Sequence, residues 1–81
     1  MNVFLWDADG PKMSSAGVRG TFDAACHAAE ACLASGQAAV ALVEEARVVM
    51  GSDSLTRVYL RTREWRPSRG AGGAISWQRA S

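Results

Sequence analysis

Eighty-one residues, 48% of them hydrophobic and 21% charged, suffice for one small domain with a core and exclude a multi-domain enzyme or a disordered chain. A net charge of +1 gives no global attraction to nucleic acid or to a membrane surface. No stretch approaches the roughly 20 apolar residues of a membrane helix, and the first residues lack the basic flank of a signal peptide, so a cytoplasmic protein with no membrane partner is expected.

Val3-Phe4-Leu5-Trp6 is apolar and rich in β-branched and aromatic residues, which predicts a strand over 2–7. Residues 8–20 hold Gly10, Pro11, Ser14, Ser15, Gly17 and Gly20 and read as a loop. Thr21 is a good N-cap, Asp23 suits a first helical turn, and Ser35-Gly36 suits a stop, so a helix is expected over 21–35. Phe22, Cys26, Ala29 and Leu33 fall on one stripe of that helix, and its Ala-rich side suits close packing on a sheet.

The apolar segment 38–50 fits two patterns. As a helix it gathers Ala39, Leu42, Val43, Ala46, Val49 and Met50 on one face; as a strand it sets Val40 and Leu42 against Ala41 and Val43. Gly36 and the β-branched content favour the strand. After Gly51-Ser52-Asp53-Ser54, alternation predicts a strand over Thr56–Thr62, a tight turn near Arg63-Glu64, and a further strand through Trp65. Pro67 and Gly70-Ala71-Gly72-Gly73 read as a loop, and Ala74–Gln78 as the last strand. The expected fold is α+β: a two-layer β-α-β-β(-β) domain over 1–81, with one helix on an antiparallel sheet and a strand-rich meander over 38–79.

Arginine outnumbers lysine eight to one and alanine occurs fifteen times, a bias that fits a high-GC genome and lowers the chemical meaning of each arginine. The charge is divided unevenly. Residues 1–50 carry three cations against six carboxylates, and residues 51–81 carry six cations against two. Such asymmetry marks either a basic interaction surface or two halves that attract each other within one fold.

Val-Phe-Leu-Trp-Asp-Ala-Asp-Gly at 3–10 resembles the first motif of the haloacid-dehalogenase phosphohydrolases. The resemblance implies Asp7 as nucleophile, Asp9 as acid/base residue, and a bound Mg²⁺. Pro11 departs from the usual pattern, Lys12 is the single lysine, and the acidic pair Glu44-Glu45 alone follows an apolar strand. A core of several parallel strands also exceeds this length, so Asp-Ala-Asp-Gly is read as a strand-ending turn and the chain as non-enzymatic.

Cys26 and Cys32 lie about 120° apart on one helix, with His27 on a third side, so they form neither a zinc site nor a nucleophile pair. Two cysteines make no disulfide framework either. Gly17-Val18-Arg19-Gly20 and Gly70–Gly73 lack the spacing of phosphate or dinucleotide loops. No cofactor and no metal is expected.

The remaining constellation is basic and aromatic. Arg57, Tyr59, Arg61 and Arg63 alternate, which places them on one strand face, and Trp65, Arg66, Arg69, Trp77 and Arg79 follow on or beside the pairing strands. Arginines neutralise phosphates and exposed aromatics stack on bases, so nucleic acid is the first partner expected for this set. The competing reading makes Trp65 and Trp77 the core of a small sheet.

Gly20-Thr21-Phe22-Asp23-Ala24-Ala25 is similar to the helix onset of AP2-type DNA-binding domains, in which the reading sheet precedes the helix; here most strand sequence follows it. Val43-Glu44-Glu45, Tyr59-Leu60-Arg61-Thr62, Trp65 and Gly73-Ala74-Ile75-Ser76-Trp77 together resemble short uncharacterised proteins of high-GC actinobacterial genomes, a likeness that bears on element order. The second function expected is a protein-interaction or homodimerisation module using the apolar segment 38–50.

Overall fold

A short continuous apolar run, Val3-Phe4-Leu5-Trp6, rich in β-branched and aromatic residues, drives Asn2–Asp9 into the first strand, β1. In the computed structural model, which describes residues 2–50 and 57–80, the chain continues as β2 (Ser14–Arg19), α1 (Phe22–Ala34), β3 (Val40–Met50), β4 (Arg57–Arg69), a 3₁₀ turn at Ala71–Gly73 and β5 (Ile75–Arg79). The strands form one antiparallel sheet in the order β2-β1-β3-β4-β5, with α1 against one face. This is the expected two-layer α+β domain, but its order is β-β-α-β-β-β. The start of the strand expected from Thr56 lies outside the described residues, as do residues 51–55.

Residues 8–20 are not one loop. β1 runs on to Asp9, the Gly10 N–H donates to the Met13 carbonyl at 2.9 Å, and β2 returns along β1 from Asp9–Ser14 to Phe4–Arg19. Ser14–Arg19 holds one β-branched residue and no aromatic, so propensity gave no signal for it. Tertiary fit supplies it instead. At Gly17 the backbone lies against the indole of Trp6, so close that a Cβ there would stand 2.6 Å from Trp6 Nε1.

The helix begins and ends where its caps demand. Thr21 is extended (φ −131°, ψ 154°) and its Oγ1 accepts from the Ala24 N–H at 3.2 Å. Ser35 closes the last turn, and Gly36 takes the left-handed φ of +79° that follows a helix C-terminus. Ala25, Cys26, Ala29 and Leu33 are buried against Trp6, Ala8, Ala41 and Val43. Small residues on both layers let helix and sheet approach closely, and Val43 is the one large side chain among the described residues with essentially no exposed surface.

The segment 38–50 is a strand from Val40 onward, as Gly36 and its β-branching suggested. β4 departs from the sequence reading: it runs unbroken through Arg63-Glu64, where a turn was expected, and through Pro67. The irregularity at that place is a bulge. Glu45 pairs with Arg63 and Ala46 with Arg61, so Thr62 is the extra residue, and its hydroxyl donates to the Glu45 carbonyl at 3.3 Å. Pro67 is tolerated because β4 pairs with β3 only as far as Trp65 and with β5 beyond it, leaving one side of Pro67 without a ladder.

Candidate functional site: the two faces of the sheet

Register and alternation assign every strand residue to the helix side or the bare side of the sheet. Phe4, Trp6 and Ala8 of β1 and Ala41, Val43 and Glu45 of β3 face α1, together with Arg63, Trp65, Pro67 and Arg69 of β4 and Ile75, Trp77 and Arg79 of β5. The opposite face carries Val3, Leu5, Asp7 and Asp9, then Val40, Leu42, Glu44, Ala46 and Val48, then Tyr59, Arg61, Glu64 and Arg66.

The bulge therefore divides the expected basic stripe. Tyr59 and Arg61 lie on the bare face and Arg63 on the helix face, because the extra residue Thr62 shifts the alternation by one. Arg57 pairs with Met50 at the start of β4. Trp65 is half-buried and packs on the rings of Phe22 (4.7 Å between centroids) and Phe4 (6.3 Å). Trp77 is also half-buried, and its Nε1–H donates to Glu30 Oε1 of α1 at 2.9 Å. The members of the basic, aromatic set from Tyr59 onward are thus spread over two faces.

Three of its arginines face carboxylates within the fold. Arg61 Nε lies 3.1 Å from Glu44 Oε2, Arg63 Nε 3.4 Å from Glu45 Oε1, and Arg66 Nε 3.3 Å from Glu64 Oε2. The first two pairs join the basic rear half to the acidic front half across β3 and β4. Each is solvent-exposed on its arginine side and worth at most about 1 kcal/mol, so their effect is on charge and register more than on stability. Arg47 and Arg69 are exposed and have no carboxylate partner among the described residues.

Asp7 and Asp9 sit two residues apart on the bare face, beside Val40, Leu42 and Arg66 in an open cleft of about 270 Å³. Their strand is antiparallel to both neighbours, whereas the phosphohydrolase resemblance requires a parallel sheet. Among the described residues no three His, Cys, Asp or Glu side chains converge. These carboxylates do not fit a Mg²⁺ site, and no hydrolytic step is derived from them.

The bare face has a feature that sequence reading missed. Tyr59 and Arg61 share a shallow groove of about 360 Å³ with Leu5, Asp7, Ala16 and Val18, two and three strands away. Between them on β3 lies Ala46, paired with Val3 and Arg61, which has no exposed surface despite lying on this side. The apolar runs of β1 and β3 were visible in the sequence, but the outward apolar surface is completed by Val18 of β2 and by Tyr59 of β4, whose pairing with Val48 sets it on the same side.

The two cysteines are free thiols. Desolvation by burial, reinforced by the carboxylates of Glu30 and Asp23, pushes the Cys26 thiol from 9.0 up to about 12. At pH 8 its thiolate fraction is then about a thousand-fold below that of an ordinary cysteine, so a maleimide is expected to leave Cys26 unmodified in the folded protein and to modify it in urea. Mass spectrometry of the labelled peptides checks this. Because the folded thiol titrates above the unfolded one, its contribution to stability is complete below pH 9 and is lost as pH rises towards 12.

No helix among the described residues is long and apolar enough to cross a membrane. Comparisons with protein-family models, with curated proteins and with solved structures find no match.

Proposed function

We propose that the chain is a non-enzymatic binding module, working in the cytoplasm where its two thiols stay reduced, and that it recognises protein through the bare face of its sheet. The observation that carries this reading is the character of that face. An antiparallel sheet with one side in water normally alternates apolar-in with polar-out; here Val3, Leu5, Val18, Leu42, Val48 and Tyr59 gather on the outward side, Val18 being 44% exposed. Contiguous apolar surface rimmed by charge is the usual mark of a protein-interaction site.

Nucleic-acid contact is the second reading. It is supported by Arg47 and Arg69, whose guanidinium groups are exposed and lack a carboxylate partner among the described residues. The reading uses arginine contacts to phosphate rather than stacking on Trp65 or Trp77.

Cross-linked capture from a cell extract, with and without nuclease, tests the two. The expected result is protein retained by the wild type after nuclease treatment, lost with Leu5→Lys or Leu42→Lys, and kept with Arg69→Glu. Retention that disappears with nuclease, or with Arg69→Glu alone, would move the function to nucleic acid.

A further inference from the structure

We infer that the partner of this face is a second copy of the same chain, packed sheet on sheet about a two-fold axis that runs along β3. The inference rests on the protein-binding reading above and specifies its occupant.

Charge along one row of the sheet carries the argument. Asp7 pairs with Ala16 on one side and Leu42 on the other, and Arg66 stands beyond Leu42, one step past the Val43–Trp65 pair. The three side chains Asp7, Leu42 and Arg66 line one cleft. Asp7 is half-buried and has no ion-pair partner among the described residues; Arg66 holds Glu64 within its own chain at 3.3 Å, yet its side chain is 62% exposed and keeps donors for a second carboxylate. A two-fold axis along β3 lays Leu42 on Leu42, Asp7 on Arg66 of the partner subunit, and Arg66 on the partner's Asp7. A self-complementary interface of this kind is what closed two-fold symmetry requires.

The other face-to-face arrangement, with the axis across the strands through Glu44, lays Arg66 near Arg61 of the second copy and sets like charges together. The axis along β3 also lays Glu44 on Glu44 of the partner subunit, but each of these carboxylates carries its own Arg61, and Glu64 is held by Arg66 within each chain. Stacked sheets lie about 10 Å apart, a gap that an arginine and an aspartate together span.

Sedimentation velocity over a concentration series tests the inference, with Asp7→Arg, Arg66→Asp and their equimolar mixture beside the wild type and circular dichroism to verify folding. Wild type is expected to dimerise. Each variant alone, with two like-charge pairs across the axis, is expected to bind its own kind at least ~10-fold more weakly. The mixture, in which every facing pair is again opposite in sign, is expected to regain wild-type affinity. A wild type that stays monomeric to ~1 mM, variants that dimerise unaided, or a mixture that stays monomeric would each overturn it. A monomeric wild type that nevertheless retains protein lost with Leu42→Lys overturns the second copy alone and leaves the protein-binding reading standing.

Discussion

Replacing Trp65 with alanine is expected to cost about 3 kcal/mol, a large share of the roughly 4–12 kcal/mol that a chain of this length commands. The indole is the link between the sheet and the start of the helix. Its ring lies 4.7 Å from Phe22 of α1 and 6.3 Å from Phe4 of β1, and Phe4 and Phe22 meet edge-on at 5.9 Å with their planes 70° apart. Removing one member of such a triad loses its area burial and two ring contacts worth about 0.5–1.5 kcal/mol each. Trp65→Phe keeps an aromatic ring in place and is expected to cost only about 1 kcal/mol. Urea unfolding followed by circular dichroism measures both. A loss below ~0.5 kcal/mol for the alanine variant would mean that Trp65 is a surface residue and would return it to the pool of candidate base-stacking groups.

The same residue shows how far the sequence could be read. A tryptophan in an alternating basic segment has two uses, and periodicity alone does not choose between them. Phe4 and Phe22 decide the matter, and they are 18 residues apart on different elements. The helix was legible because its signals are local: Thr21 accepts the Ala24 N–H, and Gly36 adopts a positive φ. Strand β3 was legible from β-branching once Gly36 ended the helix. Strand β2 was not, since its stability comes from the free edge of β1 and from the fit of Gly17 against Trp6, neither of which is a property of Ser14–Arg19. The bulge at Thr62 was equally hidden, and it alone separates Arg61 from Arg63.

The division of charge resolves in the same way. The acidic front and basic rear halves meet as Glu44–Arg61 and Glu45–Arg63 across β3 and β4. Part of the apparent basic surface is therefore spent inside the fold. Among the described residues the charges without an ion pair on the bare face are Asp7 and Asp9, so an acidic group of the front half is available to a partner, beside an Arg66 that holds Glu64 but stays 62% exposed.

Gly10→Ala is expected to destabilise the fold by at least ~2 kcal/mol, which lowers the Tm of a domain this size by roughly 10 °C or more. Gly10 has an ordinary backbone conformation, so the cost is one of space. A Cβ at this position would collide with the Gln37 carbonyl oxygen and stand 2.9 Å from the Gln37 carbonyl carbon and 3.2 Å from Ala38 Cα. All three are backbone atoms and have no rotamer through which to withdraw. Both chain segments are also tied in place: the Gly10 N–H donates to the Met13 carbonyl at 2.9 Å, the Ala39 N–H to the Asp9 carbonyl at 2.8 Å, and Ala38 is buried. Relief of the clash has to separate the β1–β2 turn from the segment that leads out of α1 into β3, and it breaks the Ala39–Asp9 hydrogen bond that opens the β1–β3 ladder. Thermal unfolding gives the stability change, and hydrogen exchange at the Ala39 amide reports the broken bond directly. Gly20→Ala is the control, since a Cβ there meets nothing within 4 Å. Equal stability of the two variants would show that the turn after β1 and the entry to β3 do not touch, and with that the end of the sheet at which Asp7 and Asp9 are displayed would lose its anchor.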